Sequence, residues 1–233
     1  MIGVIAVLPL EARCLVGRKL APGERVELHP GWIQLCGIGR RKALNAAQSL
    51  LEAGASALLS WGTAGGLDPL LSAGTLVLPQ QVISADQIVF PVDGEWRNRV
   101  QQRVAKYVAT SSGTLLESLS VFTHPSQKQV LAERTGAAAV DMESAAVAQV
   151  AQQAGVPFIA IRVIADQAIT AIPSSALSAI DAYGRLQFLP LVASLLAHPG
   201  ELPALITLGR AFRAAQKTLS TVAKQAGPGL GIE

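Results

Sequence analysis

Over residues 1–166, short apolar runs alternate with stretches whose apolar positions recur every three to four residues. Ile2–Leu8 is an aliphatic, β-branched run without the every-other-residue polar alternation of a sheet facing water, so it predicts a central strand. Pro9 follows, and Glu11 and Arg13 fall on what reads as a first helical turn. Val26–Leu28 and Trp32–Cys36 have the pattern of a hairpin around Pro30-Gly31. From Arg40 to Ala53 the residues Ala43, Ala46, Ala47, Leu50 and Leu51 share one helical side, and Gly54 stops the helix. Ala57–Trp61 predicts a short buried strand ending in Gly62-Thr63-Ala64-Gly65-Gly66, and Thr75–Ile83 another, opened by Gly74. A polar excursion follows, with a helix over Arg97–Val108, then a strand over Leu115–Phe122 and a helix over Ser126–Arg134 with Pro125 at its start. Ala139–Asp141 reads as the end of a strand running straight into an apolar helix, Ser144–Ala154, and Phe158–Asp166 is a last buried strand that ends in an acid.

Strands alternating with helices predict an α/β fold of three layers, α/β/α, around a central mixed, largely parallel sheet. After Asp166 the pattern changes, and Pro173, Pro190, Pro199 and Pro203 break the last third into short helices. Residues 170–233 read as a helical C-terminal extension of a single domain spanning 1–233. At 233 residues and 50% hydrophobic, the chain can bury one sizeable core. Aromatics are 4%, so that core is built of Ala, Leu, Val and Ile.

Two cysteines outside any C-x-x-C spacing and three scattered histidines suggest neither a disulfide framework nor a metal site. No basic n-region with a cleavage site opens the chain, and no run of about eighteen apolar residues occurs. A cytoplasmic protein without a cofactor and without a nucleic-acid partner is the expectation. The net charge of +3 is unevenly placed: residues 1–201 hold 15 basic and 15 acidic side chains, whereas 202–232 hold Arg210, Arg213, Lys217 and Lys224 and no acid. On a helix through that tail Leu205, Leu208, Phe212, Ala215, Leu219 and Val222 form one stripe, with the basic residues nearly opposite. That is the pattern of an interfacial helix and predicts peripheral membrane contact through 202–224. Packing of the stripe on the body or on a second subunit is the alternative.

Ligands of open α/β sheets bind at the carboxyl ends of the strands. Asp141 and Glu143 sit at one strand end, where a helix N-terminus favours acids for purely structural reasons, and Asp166 sits at another. Together they make a candidate catalytic set. Gly37–Gly39 and Gly62–Gly66 lie along the same rim, where glycine lets backbone N–H groups approach a ligand. Gly37-Ile38-Gly39-Arg40-Arg41-Lys42 begins like a dinucleotide fingerprint, but Lys42 stands where glycine belongs and no acid follows roughly 20 residues on, which excludes a nicotinamide dehydrogenase. Arg40, Arg41 and Lys42 read as a solvated helix start, with contact to phosphate as the alternative.

Four stretches in order, Gly37-Ile38-Gly39, Gly62-Thr63-Ala64-Gly65-Gly66-Leu67, Asp141-Met142-Glu143-Ser144-Ala145 and Arg162-Val163-Ile164-Ala165-Asp166, resemble the nucleoside phosphorylase/nucleosidase superfamily over roughly residues 1–168. Ile172-Pro173 into the 180s and Leu195 to Leu205 look, more narrowly, like the hopanoid-associated phosphorylases, which act on adenosylhopane. The resemblance implies cleavage of an N-ribosidic bond through an oxocarbenium-like transition state, with release of adenine. It implies Asp166 as the acid that protonates the base, its pKa raised among apolar neighbours, and Glu11 as the group that orients or deprotonates water. Glu143 would bind the ribose hydroxyls and favour the cation, Met142 would pack on the sugar, Phe122 would stack on the base, and Thr63 would face the nucleophile. Gly39, Gly62 and Gly65 would form the nucleophile or phosphate loop. A homo-oligomer is expected with it.

Each role also has a plain structural reading: a solvated Glu11, a capping Asp166, a core Met142. Two departures from the family pattern stand out. Ala165 precedes Asp166 where adenine-specific nucleosidases usually carry Ser, and Ser60 stands where many of the phosphorylases carry Arg. The nucleophile, water or co-substrate phosphate, is left open. So is the choice between adenosylhopane cleavage, a methylthioadenosine/adenosylhomocysteine nucleosidase, and a nucleoside-binding protein without turnover.

Overall fold

The computed structural model describes residues 1–179, 181, 183, 187–227 and 229–232. Its first half runs β1 (Ile2–Ala6), α1 (Pro9–Val16), β2 (Arg25–Leu28), β3 (Gly31–Leu35), α2 (Arg40–Glu52), β4 (Ala57–Gly66), β5 (Leu76–Val77), β6 (Gln81–Ile83) and β7 (Val89–Pro91). The second half runs α3 (Gly94–Val104), β8 (Thr110–Ser111), β9 (Leu115–Glu117), α4 (Pro125–Thr135), β10 (Ala139–Asp141), α5 (Ser144–Ala154), β11 (Phe158–Asp166), α6 (Ser174–Ser178), α7 (Phe188–Ala197) and α8 (Leu202–Gln225).

The sheet is mixed, with a parallel centre: β3, β1, β4 and β11 lie side by side in one direction. These are the apolar runs without alternation, and the reason is that both of their faces are covered. Ile5, Leu58, Ala160 and Ile164 meet α2 and α5 on one side; Val4, Leu59, Trp61, Ile161 and Val163 meet α1, α3 and α8 on the other. Successive side chains of a strand point to opposite faces, so each run feeds two apolar layers, and the expected three-layer α/β/α arrangement results.

Four predicted elements differ. β4 does not end at Trp61; it continues through the glycines to Gly66, because β11 accompanies it to Gly65 and β10 joins its other edge at Gly65 and Gly66. Thr75–Ile83 is two strands in different parts of the sheet, β5 beside β11 and β8, and β6 beside β7 and β9. Pro79 between them has no N–H to donate to a ladder. The strand expected over Leu115–Phe122 stops at Glu117, where the Ser118 N–H turns to the Asp141 carbonyl, 2.7 Å away. The helix expected over Arg97–Val108 runs earlier, from Gly94 to Val104, and is capped by Asp93, whose carboxylate accepts the Trp96 N–H at 2.8 Å.

The last third holds the short helices α6 and α7, and the tail is the expected helix, α8, of 24 residues; Pro203 lies in its first turn, where a missing N–H leaves no bond unmade. Ala215, Leu219 and Val222 of the predicted stripe are fully buried against the sheet, and Phe212 packs beside them. The interfacial reading of 202–224 is corrected to that extent: the C-terminal half of the stripe is core, although Arg210, Arg213, Lys217 and Lys224 do face solvent. Among the described residues no helix is long and apolar enough to cross a membrane. Residues 180, 182 and 184–186, within the stretch that carries the narrower resemblance, lie outside the described residues.

Candidate active site

β1 covers one edge of β4 from Ala57 to Trp61, and β10 covers that edge at Gly65 and Gly66. Between them lie Gly62, Thr63 and Ala64, and there a side chain takes over. Pro9 opens α1, and Glu11 folds back on the end of β1 so that Oε2 accepts the N–H groups of Val7 (3.2 Å) and Leu8 (2.9 Å). Oε1 accepts the N–H and the hydroxyl of Thr63, both at 2.8 Å. Glu11 is 2% exposed, so its solvated reading is excluded. Burial raises its pKa, against the Arg162 charge and the hydrogen bonds from Leu8 and Thr63. Gly62 has to be glycine: a Cβ there would stand 2.5 Å from Arg162 Nη1 and 2.7 Å from the Glu11 carboxyl.

Arg162 of β11 is 1% exposed. Its Nε pairs with Asp141 Oδ2 at 2.8 Å, its Nη2 donates to Ser60 Oγ at 2.7 Å, and both reach Ser144 Oγ at 3.1 Å. A buried guanidinium requires such partners. Ser60, at the place where the resemblance led one to look for a phosphate-binding arginine, is one of them. Sequence reasoning quoted Arg162 as part of a motif and assigned it no role. The available signal was a lone arginine inside an eight-residue apolar run.

Glu143 precedes α5, and its Oε1 accepts the Gly39 N–H at 2.8 Å. It is 5% exposed. Burial first, and then the neighbouring Asp141 charge, push its pKa up to about 8. Burial and the Asp141 charge thus favour the protonated form of Glu143 in the ligand-free protein, where sequence reasoning had assigned it a charge. Met142 is half-buried and is not among the residues of the apolar clusters, which weighs against its core reading.

Behind this lies Glu117, 1% exposed, which accepts the Ala146 N–H at 3.0 Å and pairs with Arg40. Arg40 Nη2 also donates to Gln149 Oε1 at 2.6 Å. Arg40 is thus a bolt between α2 and α5, not a solvated helix start; Arg41 is exposed, and Lys42 Nζ lies 4.3 Å over the Tyr183 ring. Glu117, an acid in the apolar run Leu115-Leu116-Glu117, was not singled out in the sequence.

Asp166 ends β11, just past a slip in register between Ile164 and Asp166. Its carboxyl lies over Gly65, where a Cβ would be 3.3 Å from Oδ2. The expected surroundings of apolar neighbours are corrected. Lys128 of α4, 1% exposed, pairs with Asp166 Oδ2 and donates to the carbonyls of Gln167 (2.9 Å) and Thr170 (3.2 Å). Burial raises the Asp166 pKa, while the Lys128 charge and hydrogen bond pull it down. Phe122 is half-buried against the cluster of Leu67, Leu116 and Val140. One strand therefore carries the Glu11–Arg162 pair at Gly62 and the Asp166–Lys128 pair at Gly65, roughly 10 Å further on.

Residues 23–182 match the family model described as the Phosphorylase superfamily. Over 152 residues the chain is 31% identical to the 5′-methylthioadenosine/S-adenosylhomocysteine nucleosidase of Shewanella oneidensis, in an alignment spanning 57% of this chain and 64% of that relative. The 5′-methylthioadenosine/S-adenosylhomocysteine nucleosidase of Neisseria meningitidis, solved with methylthio-immucillin-A, superimposes with a TM-score of 0.70 at 18% identity over 96% of each chain. The native futalosine hydrolase of Helicobacter pylori does so with a TM-score of 0.66 at 18% identity, over 96% of this chain and 97% of that one. At such identity the two structures speak to the fold.

Proposed function

The chain belongs to the phosphorylase superfamily, and from that premise we propose that it hydrolyses the N-ribosidic bond of an adenine nucleoside of the methylthioadenosine/adenosylhomocysteine type. The observation that carries water rather than phosphate is Glu11. Its carboxyl is fixed beside Thr63 and Gly62 by four donors, where it suits a water molecule and repels a phosphate dianion. Two of the three nitrogens of the neighbouring Arg162 are already engaged by Asp141, Ser144 and Ser60.

In the reaction water attacks C1′ as the bond from C1′ to N9 breaks, and the bonding electrons leave with the base. Glu11 takes the water's proton. Asp166 delivers a proton to N7, so adenine departs neutral. Glu143, its proton released to solvent before the step, accepts hydrogen bonds from the ribose hydroxyls, and its carboxylate stabilises the cationic sugar. The 31% identity to the Shewanella nucleosidase supports this substrate class.

A second reading, adenosylhopane as substrate, is favoured by one observation. Helix α7 has no charged residue and exposes Leu189 (81%) and Leu196 (80%), and Leu202 and Ile206 of α8 are exposed as well. That surface suits an apolar substrate tail.

The test is release of adenine from methylthioadenosine and from adenosylhopane, with and without phosphate. Hydrolysis predicts a free sugar product at a rate indifferent to phosphate; a sugar phosphate as product would overturn the assignment of water. Asp166→Asn should lower kcat by about 10²-fold or more, and near-wild-type turnover of that variant would remove Asp166 from its role.

A further inference from the structure

Helix α4 buries one residue, and it is a lysine. Around Lys128 the helix faces solvent at Gln127, Gln129, Val130, Glu133 and Arg134. An ammonium taken out of water is costly unless each of its hydrogens finds an acceptor. Lys128 finds three: Asp166 Oδ2, the Gln167 carbonyl and the Thr170 carbonyl. The slot is thus lined by a carboxylate and two carbonyls, and the lysine's effect lies in what it holds.

What it holds is the end of β11. Ala165 has no hydroxyl to offer Asp166. Facing the carboxyl, β4 presents Gly65, whose Cβ position lies 3.3 Å from both Asp166 Oδ2 and Val140 Cγ1, and the turn after β11 presents two carbonyls already used by the lysine. Among the described residues, Lys128 is the charged group that acts on Asp166.

We propose that Lys128 is a positioning residue for Asp166: it pins Oδ2, leaves Oδ1 to meet the base, and through its charge decides over which pH range the carboxyl carries a proton. The inference rests on the reading of Asp166 as the acid that protonates N7. Without the ammonium the carboxyl would hold its proton to higher pH but would be free to turn. With it, the orientation is fixed and the proton is held over a narrower range. The two carbonyl bonds extend the hold to residues 167–170, whose turn is closed by the Thr170 N–H on the Gln167 carbonyl at 3.0 Å.

Two measurements on Lys128→Met test this. The first is a ¹³C-carboxyl NMR titration of Asp166 in the ligand-free protein, with the signal assigned by Asp166→Asn. Its midpoint should rise by about one pH unit or more, the usual effect of removing a neighbouring opposite charge. The second is the pH profile of kcat with methylthioadenosine. The limb on which activity is lost with rising pH should move up by a similar amount, and kcat at its plateau should fall about tenfold or more with a smaller change in KM. Lys128→Arg, which keeps the charge, should leave the midpoint near that of wild type. If the methionine variant does not fold, Lys128→Gln, which keeps a donor without the charge, is titrated in its place. An unmoved Asp166 midpoint in a folded, uncharged variant overturns the proposal, as does lowered stability with an unmoved pH profile, since either makes Lys128 a structural clamp only. Failure of the underlying reading looks different: Asp166→Asn then stays active while the titration still shifts.

Discussion

Glu143→Gln separates what the acid proposed to bind ribose does for the reaction from what it does to the fold. Glu143 has its pKa pushed from an ordinary 4.5 to about 8, by burial and then by Asp141. A raised pKa means the folded chain binds the proton more tightly than the unfolded chain does. The stabilisation is complete below pH 4.5 and is lost as pH rises through about 8. At about 1.4 kcal/mol per pH unit, that window sets a ceiling of roughly 5 kcal/mol. Water entering the site and relaxation around Asp141 reduce it, and about 2–4 kcal/mol is the expected effect.

Glutamine imitates the neutral acid and cannot ionise. Urea denaturation of both proteins at pH 5, 6.5, 8 and 9 should therefore give similar stabilities at the acid end and a glutamine variant that is increasingly the more stable one toward pH 9. The same variant should lose kcat more than KM, because only glutamate can become an anion as the sugar becomes a cation. A stability difference that stays flat from pH 5 to 9 would refute the burial argument. A rise in KM alone would refute the role in the transition state.

Two further substitutions probe the site wall and the tail. Gly62→Ala inserts a methyl group where 2.5 Å separates the Cβ position from Arg162 Nη1; kcat/KM should fall about 10²-fold or more as Glu11 and Arg162 are displaced, and unchanged kinetics would show that the wall yields freely. Leu219→Ala empties a fully buried position between α8 and the sheet and should cost about 2–5 kcal/mol by urea denaturation; a cost under about 0.5 kcal/mol would mean that α8 is not core.

The parallel centre of the sheet was legible because its strands are apolar on both faces, and helices α2 and α5 because alanines and leucines recur at helical spacing. The glycine stretch after Trp61 was misread as the end of a strand for a physical reason. Glycine weakens a strand locally, and what keeps β4 extended to Gly66 is β11 and β10, drawn from about 100 and about 75 residues further along the chain. The acids Glu11, Glu143 and Asp166 were visible, since each sits at a strand end or a helix start. Their partners were not. Arg162 and Lys128 lie on a strand and a polar helix, and nothing local marks Lys128 as buried while Gln127 and Gln129 beside it are exposed; Glu117, the partner of Arg40, was hidden in a short strand between β10 and β6. The apolar stripe of α8 was legible as a stripe while its neighbour stayed open between membrane, body and second subunit, because periodicity reports that a face is covered and not by what.

Because β4 changes partners midway, from β1 to β10 on one edge, it works as a ruler between two halves of the sheet. Deleting or inserting one residue among Gly62, Thr63 and Ala64 would move everything beyond by about 3.3 Å and turn each later side chain to the opposite face. Gly65 would leave the Asp166 carboxyl, and the Thr63 amide would leave Glu11. Chains built on this plan are free to change length in the turns around the rim and in the last third, where prolines already interrupt the helices. Across those three residues they can exchange side chains but not spacing, since the distance from the Glu11 carboxyl to the Asp166 carboxyl is measured out in peptide units there.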